Sequence, residues 1–245
     1  MLGLLMLQTR FPRPPGDIGH PATFGFAVKQ LVVEGASPVR VVRPSADRRM
    51  PDALDRTADA SPAPHGEADL LQAFIGAGGQ LVQAGAVALS TSCGFLARWQ
   101  RELQAALPVP VWSSALLMLP ELQAQGLRCG VITIEASSLT TAHFEAVGAD
   151  PRTPVEGITP GSPLHATLLK DLPTLDIEDA REQVLAAGRR LLARHPELQA
   201  LVLECTNLPP YAQALRQALG LPVHHIVSML NERMAGLLGV SAGVA

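Results

Sequence analysis

The feature that most constrains this chain is a cysteine-containing stretch that occurs twice. Ala200-Leu-Val-Leu-Glu-Cys205 aligns without a gap onto Ala88-Leu-Ser-Thr-Ser-Cys93 when the residue numbers are shifted by 112. The same shift superimposes further positions: Leu208 on Leu96, Leu215 on Leu103, Ala218 on Ala106, and Pro222-Val223 on Pro110-Val111. A single doubling over this length indicates two similar lobes facing each other, since solenoids repeat over shorter periods.

Each copy has the pattern of a strand that ends on cysteine and leads into a helix. Open α/β sheets bind their ligands at the carboxyl ends of parallel strands, so both thiols are predicted at a binding edge. The partial positive charge of a helix N-terminus also favours a thiolate. The repeat therefore predicts two thiols that share one role.

The remaining chain alternates short apolar runs with segments of helical length, which is typical of a parallel sheet covered by helices on both faces. Further strands are predicted at residues 2–8, 38–42, 86–91, 109–112, 128–134, near Val155 and at 222–225. Helices are predicted at residues 67–83, 95–106, 114–125, up to Gly148, from Asp176 to His195, at 211–219 and up to Leu238. The Pro- and Gly-rich residues 10–21 are expected to form a rigid loop. Residues 44–66 are expected to form a mobile surface excursion, and residues 150–174 a long connection.

Composition excludes several functional classes. A net charge of −3 without a basic block lacks the electrostatic footprint of a nucleic-acid-binding protein. The apolar start, Met1 to Leu7, is too short to span a membrane and reads as a buried first strand rather than a signal. Three cysteines provide neither a disulfide framework nor a C-x-x-C metal pair, so no metal is predicted and a reduced, cytoplasmic compartment is expected.

Two equivalent thiols facing one cleft suit the inversion of a carbon stereocentre. One base removes a proton from one face, an acid delivers a proton to the other, and the roles exchange in the reverse direction. Nucleophilic catalysis by one cysteine and one orienting histidine would leave the second cysteine of the repeat unexplained. Redox exchange needs adjacent thiols, whereas these two come from separate lobes. A metal site needs further His or Cys ligands at suitable spacing, and the sequence offers none. Cys129, inside a β-branched run, is interpreted as a buried structural residue.

Three motifs, taken in order, resemble the aspartate/glutamate racemase superfamily over most of the chain. They are Ser-Thr-Ser-Cys93-Gly-Phe, Val-Ile-Thr-Ile-Glu-Ala-Ser137-Ser138-Leu-Thr and Leu-Glu-Cys205-Thr206-Asn207-Leu-Pro. The resemblance implies two pseudo-symmetric flavodoxin-like lobes, each a parallel sheet flanked by helices, with the active site in the cleft between them. It also implies racemisation by two cysteines, Cys93 and Cys205, without pyridoxal phosphate or another cofactor.

The resemblance also implies which residues bind the substrate. In that superfamily an acidic residue after the first strand lies near the first cysteine and the substrate amine. Asp17 in Pro-Gly-Asp-Ile-Gly matches this residue. The substrate carboxylate would be held by residues after each cysteine and in the middle motif, namely Gly94, Phe95, Thr206, Asn207, Ser137 and Ser138. The chain departs from the glutamate and aspartate racemases in having Cys-Gly-Phe at the first site and Asn207 where those enzymes have His or Glu. An amide is a poorer proton relay than either, so the substrate is left open.

Three further side chains carry expectations of their own. Glu204 is expected to point to the side of its strand opposite Cys205, because successive side chains alternate. His143 and His195 are interpreted as solvated helix residues.

The predicted function is therefore a racemase or epimerase of a small carboxylate, such as aspartate, glutamate or a derivative. The first lobe is predicted to comprise residues 1–113 plus 224–245 and to carry Cys93, and the second to comprise residues 114–223 and to carry Cys205. The alternatives are a cysteine-dependent cis-trans isomerase of the maleate isomerase type and a small-ligand binding protein on the same fold. Arylmalonate decarboxylases keep one cysteine, so the intact pair argues against them. The expected partner is a small carboxylate, with no nucleic acid or membrane, and a homo-oligomer is left open.

Overall fold

Two four-stranded parallel sheets form the framework of the protein, whose computed structural model describes residues 1–42 and 66–239. The first sheet has the strand order β2-β1-β3-β4 and contains β1 (Leu2–Met6), β2 (Val28–Val32), β3 (Ala88–Thr91) and β4 (Val111–Trp112). The second has the equivalent order β6-β5-β7-β8 and contains β5 (Cys129–Thr133), β6 (Val155–Gly157), β7 (Ala200–Leu203) and β8 (Val223–His225). The predicted fold class, two similar parallel α/β lobes, is confirmed.

Helices flank both sheets. They are α1 (Pro38–Val42), α2 (Glu67–Gln83), α3 (Gln100–Ala106), α4 (Leu119–Ala124), α5 (Thr141–Val147), α6 (Pro163–Leu169), α7 (Ile177–Arg194), α8 (Ala212–Leu219) and α9 (Ile226–Leu238). The apolar core consists of the strands and the helix faces that cover them, and the central strands β1, β3, β5 and β7 are buried along their whole length. None of the described helices is long and apolar enough to cross a membrane.

The sequence repeat is reproduced in the backbone hydrogen bonds. The amide of Leu89 donates to the carbonyl of Pro110 at 2.9 Å, and the amide of Leu201, 112 residues later, donates to that of Pro222 at 2.9 Å. β3 therefore meets β4 as β7 meets β8. The two cysteine units are equivalent in structure as well as in sequence.

One predicted strand was wrong, and one strand was not predicted. Residues 38–42 form helix α1 rather than a strand, because Pro38 begins the helix and Ser37 accepts hydrogen bonds from the amides of Arg40 and Val41. The second strand lies instead at Val28–Val32, on the edge of its sheet, where Lys29 and Gln30 are exposed. Polar residues are common on edge strands because they discourage further pairing, and they hide the apolar alternation of a strand.

The connection at residues 150–174 contains β6, as predicted, and also helix α6, which was not predicted. Asp176 caps α7 as expected, since its carboxylate accepts hydrogen bonds from the amides of Glu178 and Asp179 at 3.0 Å each. The surface excursion predicted at residues 44–66 lies, except for Gly66, outside the described residues. The division of the chain into lobes 1–113 plus 224–245 and 114–223 stays a prediction.

Candidate active site between the two sheets

Both repeated cysteines line one small cavity, where the carboxyl ends of β3 and β7 meet. The cavity measures about 30 Å³, close to the share of one water molecule, and the thiols are 8% and 6% exposed. Its described lining combines the two cysteine loops with residues from the loop after β1, from α1, from the end of β5 and from α6: Leu7, Phe11, Arg13, Pro38, Val42, Ser92, Cys93, Gly94, Phe95, Ile134, Leu168, Leu169, Cys205, Thr206 and Asn207. The fold thus brings the two thiols to a common space.

The two cysteines occupy equivalent positions in their units. Each follows the last residues of its central strand, and each carbonyl accepts a hydrogen bond of 3.1 Å from the amide three residues later, that of Leu96 for Cys93 and that of Leu208 for Cys205. Short 3₁₀ segments, Gly94–Trp99 and Pro209–Tyr211, then lead into α3 and α8. The predicted helices therefore begin with 3₁₀ turns.

The two cysteine loops touch each other directly. A Cβ atom on Gly94 would lie 2.2 Å from the carbonyl oxygen of Glu204 and 2.3 Å from its Oε1, so the contact requires glycine. In addition, the hydroxyl of Thr206 donates to the carbonyl of Ser92 at 2.6 Å. These contacts hold the two halves of the site in register.

Burial keeps both thiols protonated at neutral pH. Burial, followed by the negative charge of Glu204, raises the pKa of Cys93 to about 12. The same two causes raise the pKa of Cys205 well above its ordinary value, although the amide of Asn207 lowers it. The thiolate that a helix N-terminus was expected to favour is thus disfavoured, because desolvation outweighs the amides that point at each sulfur.

The surroundings of the two thiols differ in charge. Arg98 and Arg13 lower the pKa of Cys93, whereas the charges of Cys93 and Asp17 raise that of Cys205. The Oδ1 atom of Asn207 also lies 3.7 Å from the sulfur of Cys205, as an acceptor for its S–H group. Cys93 is therefore the thiol that ionises more readily.

Asp17 forms a buried ion pair with Arg13 inside the loop after β1 and a hydrogen bond to Asn207 of the second cysteine loop. Asp17 is 1% exposed, and its Oδ1 accepts from Nη1 of Arg13 and from the amide of Gly19, each at 2.8 Å. Its Oδ2 accepts from Nδ2 of Asn207 at 2.6 Å. Asp17 orients Arg13 and Asn207, and it is not among the residues that line the cavity.

The other predicted site residues fall into two groups. Gly94, Phe95, Thr206 and Asn207 line the cavity with the thiols. Ser137 and Ser138 do not; Ser137 is exposed, and its hydroxyl donates to Glu135 at 2.6 Å.

A carboxylate–histidine pair lies near the end of β5. Glu135 is buried, and its Oε2 lies 3.2 Å from Nε2 of His165. His165 belongs to α6, the helix that was not predicted, so this pairing could not be foreseen.

Two residues of the site were not identified from the sequence. Arg13 reaches the cavity from the Pro-rich loop, and its spacing of four residues from Asp17 is the signal that was available. Glu204 is fully buried, and its Oε2 accepts from the hydroxyl of Thr133 at 2.6 Å, while no described residue pairs with its Oε1. Its side chain packs against Gly94 rather than into the cavity, and burial raises its pKa to about 7.

Two further sequence interpretations can be compared with the structure. His143 was expected to be solvated, but it is 4% exposed, packs edge-on to Phe95 at 5.6 Å between ring centroids, and has its pKa lowered by burial to about 4. Cys129 lies at the start of β5, at the opposite end of its strand from the cavity. It is 4% exposed and borders a separate polar surface groove.

Comparison with known proteins identifies the family. The model of the Asp/Glu/Hydantoin racemase family matches residues 27–233. A curated relative, the dimethylsulfoniopropionate lyase of Durusdinium sp. clade D, is 24% identical over 92% of this chain and 71% of its own length.

Two solved structures share the two-lobed fold. A mutant of arylmalonate decarboxylase in a sulfate-associated form matches with a TM-score of 0.61 and 15% identity, over 99% of this chain and 94% of that one. Allantoin racemase from Klebsiella pneumoniae matches with a TM-score of 0.55 and 18% identity, over 100% of this chain and 91% of that one. By its sequence, the chain belongs to the Asp/Glu/Hydantoin racemase family.

Proposed function

We propose that this protein exchanges a proton with the α-carbon of a small carboxylate through Cys93 and Cys205, and so racemises or epimerises it without pyridoxal phosphate. The observation that supports this is that both thiols, at equivalent points of the repeat, line one cavity. A stereocentre held between them would face one thiol on each side.

The chemistry requires one thiolate and one thiol. The thiolate removes the α-proton, the C–H electron pair passes into the carbanion stabilised by the carboxylate, and the opposite thiol donates its proton to the other face. The second sulfur is then the thiolate, ready for the reverse reaction. Ionisation of Cys93 raises the pKa of Cys205, so a state with a single thiolate is favoured over one with two.

The charges around the thiols suggest which one acts first as base. Arg13 and Arg98 favour the thiolate of Cys93, and the amide oxygen of Asn207 accepts a hydrogen bond from the S–H group of Cys205. Cys93 is therefore the base and Cys205 the acid for the enantiomer whose α-proton faces Cys93. A carboxylate bound near Arg13 would place its α-carbon beside Cys93.

A second candidate function is elimination, in which the same α-proton is removed and a group on the next carbon departs. The mostly apolar cavity wall favours elimination. Asp17, which the family resemblance assigns to a substrate amine, already accepts hydrogen bonds from Arg13 and Asn207. The curated relative named above is a lyase of dimethylsulfoniopropionate, a carboxylate with a sulfonium leaving group on the carbon next to the α-carbon. A sulfonium cation is compatible with aromatic rings such as those of Phe11 and Phe95.

Incubation in deuterated water distinguishes these functions. Single enantiomers of amino acids and hydantoins, together with dimethylsulfoniopropionate, are followed by NMR and by release of dimethyl sulfide. A racemase places solvent deuterium at the α-carbon of the product enantiomer, whichever hand is supplied. Release of dimethyl sulfide selects elimination, and a binding protein shows neither result.

The cysteine variants test the two-base mechanism. Cys93→Ala and Cys205→Ala should each lose racemisation, because one base cannot serve both faces of the stereocentre. Any residual exchange should come from one enantiomer, and the two variants should prefer opposite hands. Racemisation retained by either variant refutes the mechanism, and Cys129→Ala is the matched control.

A further inference from the structure

Arg13 is held rigidly at the wall of the thiol cavity. Its side chain is 12% exposed, with Nη1 at 2.8 Å from Asp17 and Nη2 at 3.0 Å from the hydroxyl of Thr9. The guanidinium lies over the ring of Phe11, 4.7 Å from its centroid. Such an arginine is pre-organised, because little rotational freedom is left to lose when a ligand binds.

The chemistry of this wall suits a carboxylate. Among the described lining residues, Arg13 is the one that carries a formal charge. The two hydrogen bonds above use two of its five N–H groups. Its charge also lowers the pKa of Cys93, which indicates that the guanidinium lies near that sulfur. An anion on Arg13 would therefore lie beside the reacting thiols.

The rest of the lining does not suit an ammonium group. Both oxygens of Asp17 already accept hydrogen bonds, and the residue does not face the cavity. No described lining residue offers a carboxylate to an ammonium group, and most are aliphatic or aromatic. Burying an ammonium group there without a partner would be costly.

We propose that Arg13 binds the carboxylate of the substrate, and that the substrate is a monocarboxylate with an apolar remainder rather than an amino dicarboxylate. The proposal rests on the proposed function for the position of the reacting carbon. It makes Arg13 a binding residue that determines specificity, while the two cysteines carry the proton transfer.

Paired alkylating reagents test the assignment without knowledge of the substrate. Iodoacetate carries a carboxylate and iodoacetamide is its neutral analogue. Each alkylates a thiolate with loss of iodide, so the ratio of their rates at one sulfur cancels any change in the thiolate population. The ratio is measured at Cys93 by mass spectrometry, in a Cys129→Ala background, and is compared with that of the urea-unfolded chain.

We expect the folded protein to prefer iodoacetate more than the unfolded chain does, and Arg13→Gln to lower the ratio about tenfold, as for the loss of one hydrogen bond to a charged group. Arg13→Lys should give an intermediate ratio, because lysine keeps the charge and loses the planar fork. Arg10→Gln is the matched control, since Arg10 lies on the same loop, is 77% exposed and pairs with Asp171 outside the cavity. Its ratio should equal that of the parent protein.

An unchanged ratio in the Arg13 variants overturns the proposal, and so does an equal fall in Arg10→Gln. Failure of both reagents to modify either thiol of the folded protein also counts against it, because the expected preference for iodoacetate is then absent. Circular dichroism checks folding, and if Arg13→Gln does not fold, the ratio of Arg13→Lys must fall below that of the parent.

Absence of deuterium exchange with an intact iodoacetate preference would reject the proposed function alone, whereas exchange without that preference would reject the role of Arg13 alone.

Discussion

Replacement of Glu204 by glutamine should remove a pH-dependent loss of stability. The Glu204 carboxyl is fully buried between the two cysteine loops, with Thr133 donating to Oε2 and the backbone of Gly94 closely approached by Oε1. Burial raises its pKa from 4.5 to about 7, while the hydrogen bond from Thr133 opposes that rise. The folded protein therefore holds this proton more tightly than the unfolded chain does.

The sign and the size of the effect follow from this shift. A raised pKa contributes stability that is fully present below the unfolded value of 4.5 and is lost as the pH rises through about 7. The shift corresponds to about 3 kcal/mol of unfolding free energy, at about 1.4 kcal/mol per pKa unit. Glu204→Gln is uncharged at every pH, so the variant should gain about 3 kcal/mol relative to the wild type between pH 4.5 and pH 8.

Urea unfolding at a series of pH values measures this difference. Buried His143 and half-buried His225, whose pKa values are lowered to about 4, act in the opposite direction: their contribution to stability is lost as the pH falls below 6.5. Both are present in the two proteins, so their contributions cancel in the comparison. Glu102→Gln, on the exposed face of α3, is the control and should run parallel to the wild type. Parallel curves for Glu204→Gln and the wild type would refute the reasoning.

Three further predictions concern the cysteines and their contact. Cys129→Ala should cost about 1 kcal/mol in urea unfolding, as for a small buried deletion, and should leave deuterium exchange unchanged; loss of exchange with the fold intact would contradict this. Gly94→Ala should destabilise the protein by about 1–3 kcal/mol, since its methyl group would meet the Glu204 carbonyl, and should reduce exchange; a neutral result in both assays would disprove the contact. In a Cys129→Ala background, iodoacetamide should modify Cys93 faster than Cys205, because the arginines near Cys93 favour its thiolate; the reverse order, read by peptide mass spectrometry, would contradict the assignment of the first base.

The repeated sequence determined the architecture, because an ungapped repeat of strand, cysteine, helix and strand can satisfy its hydrogen bonds in only a few ways. The matched bonds of Leu89 and Leu201 confirm that equivalence. Sequence reasoning failed where local chemistry was ambiguous. The run at residues 38–42 is β-branched but starts with proline and is helical, and the polar edge strand at Val28–Val32 lacks the alternation that identifies a strand.

The sequence by itself also singled out the two thiols, since their shared position in the repeat is a local property. The surroundings of the thiols depend on residues far apart in the chain, and only the tertiary structure decided them. Asp17 meets Asn207 across 190 residues of sequence, and Glu204 meets Gly94 across the junction of the two sheets. Because the pKa of a buried group depends on desolvation and neighbouring charge, the protonation of the thiols emerged only when those contacts were in place.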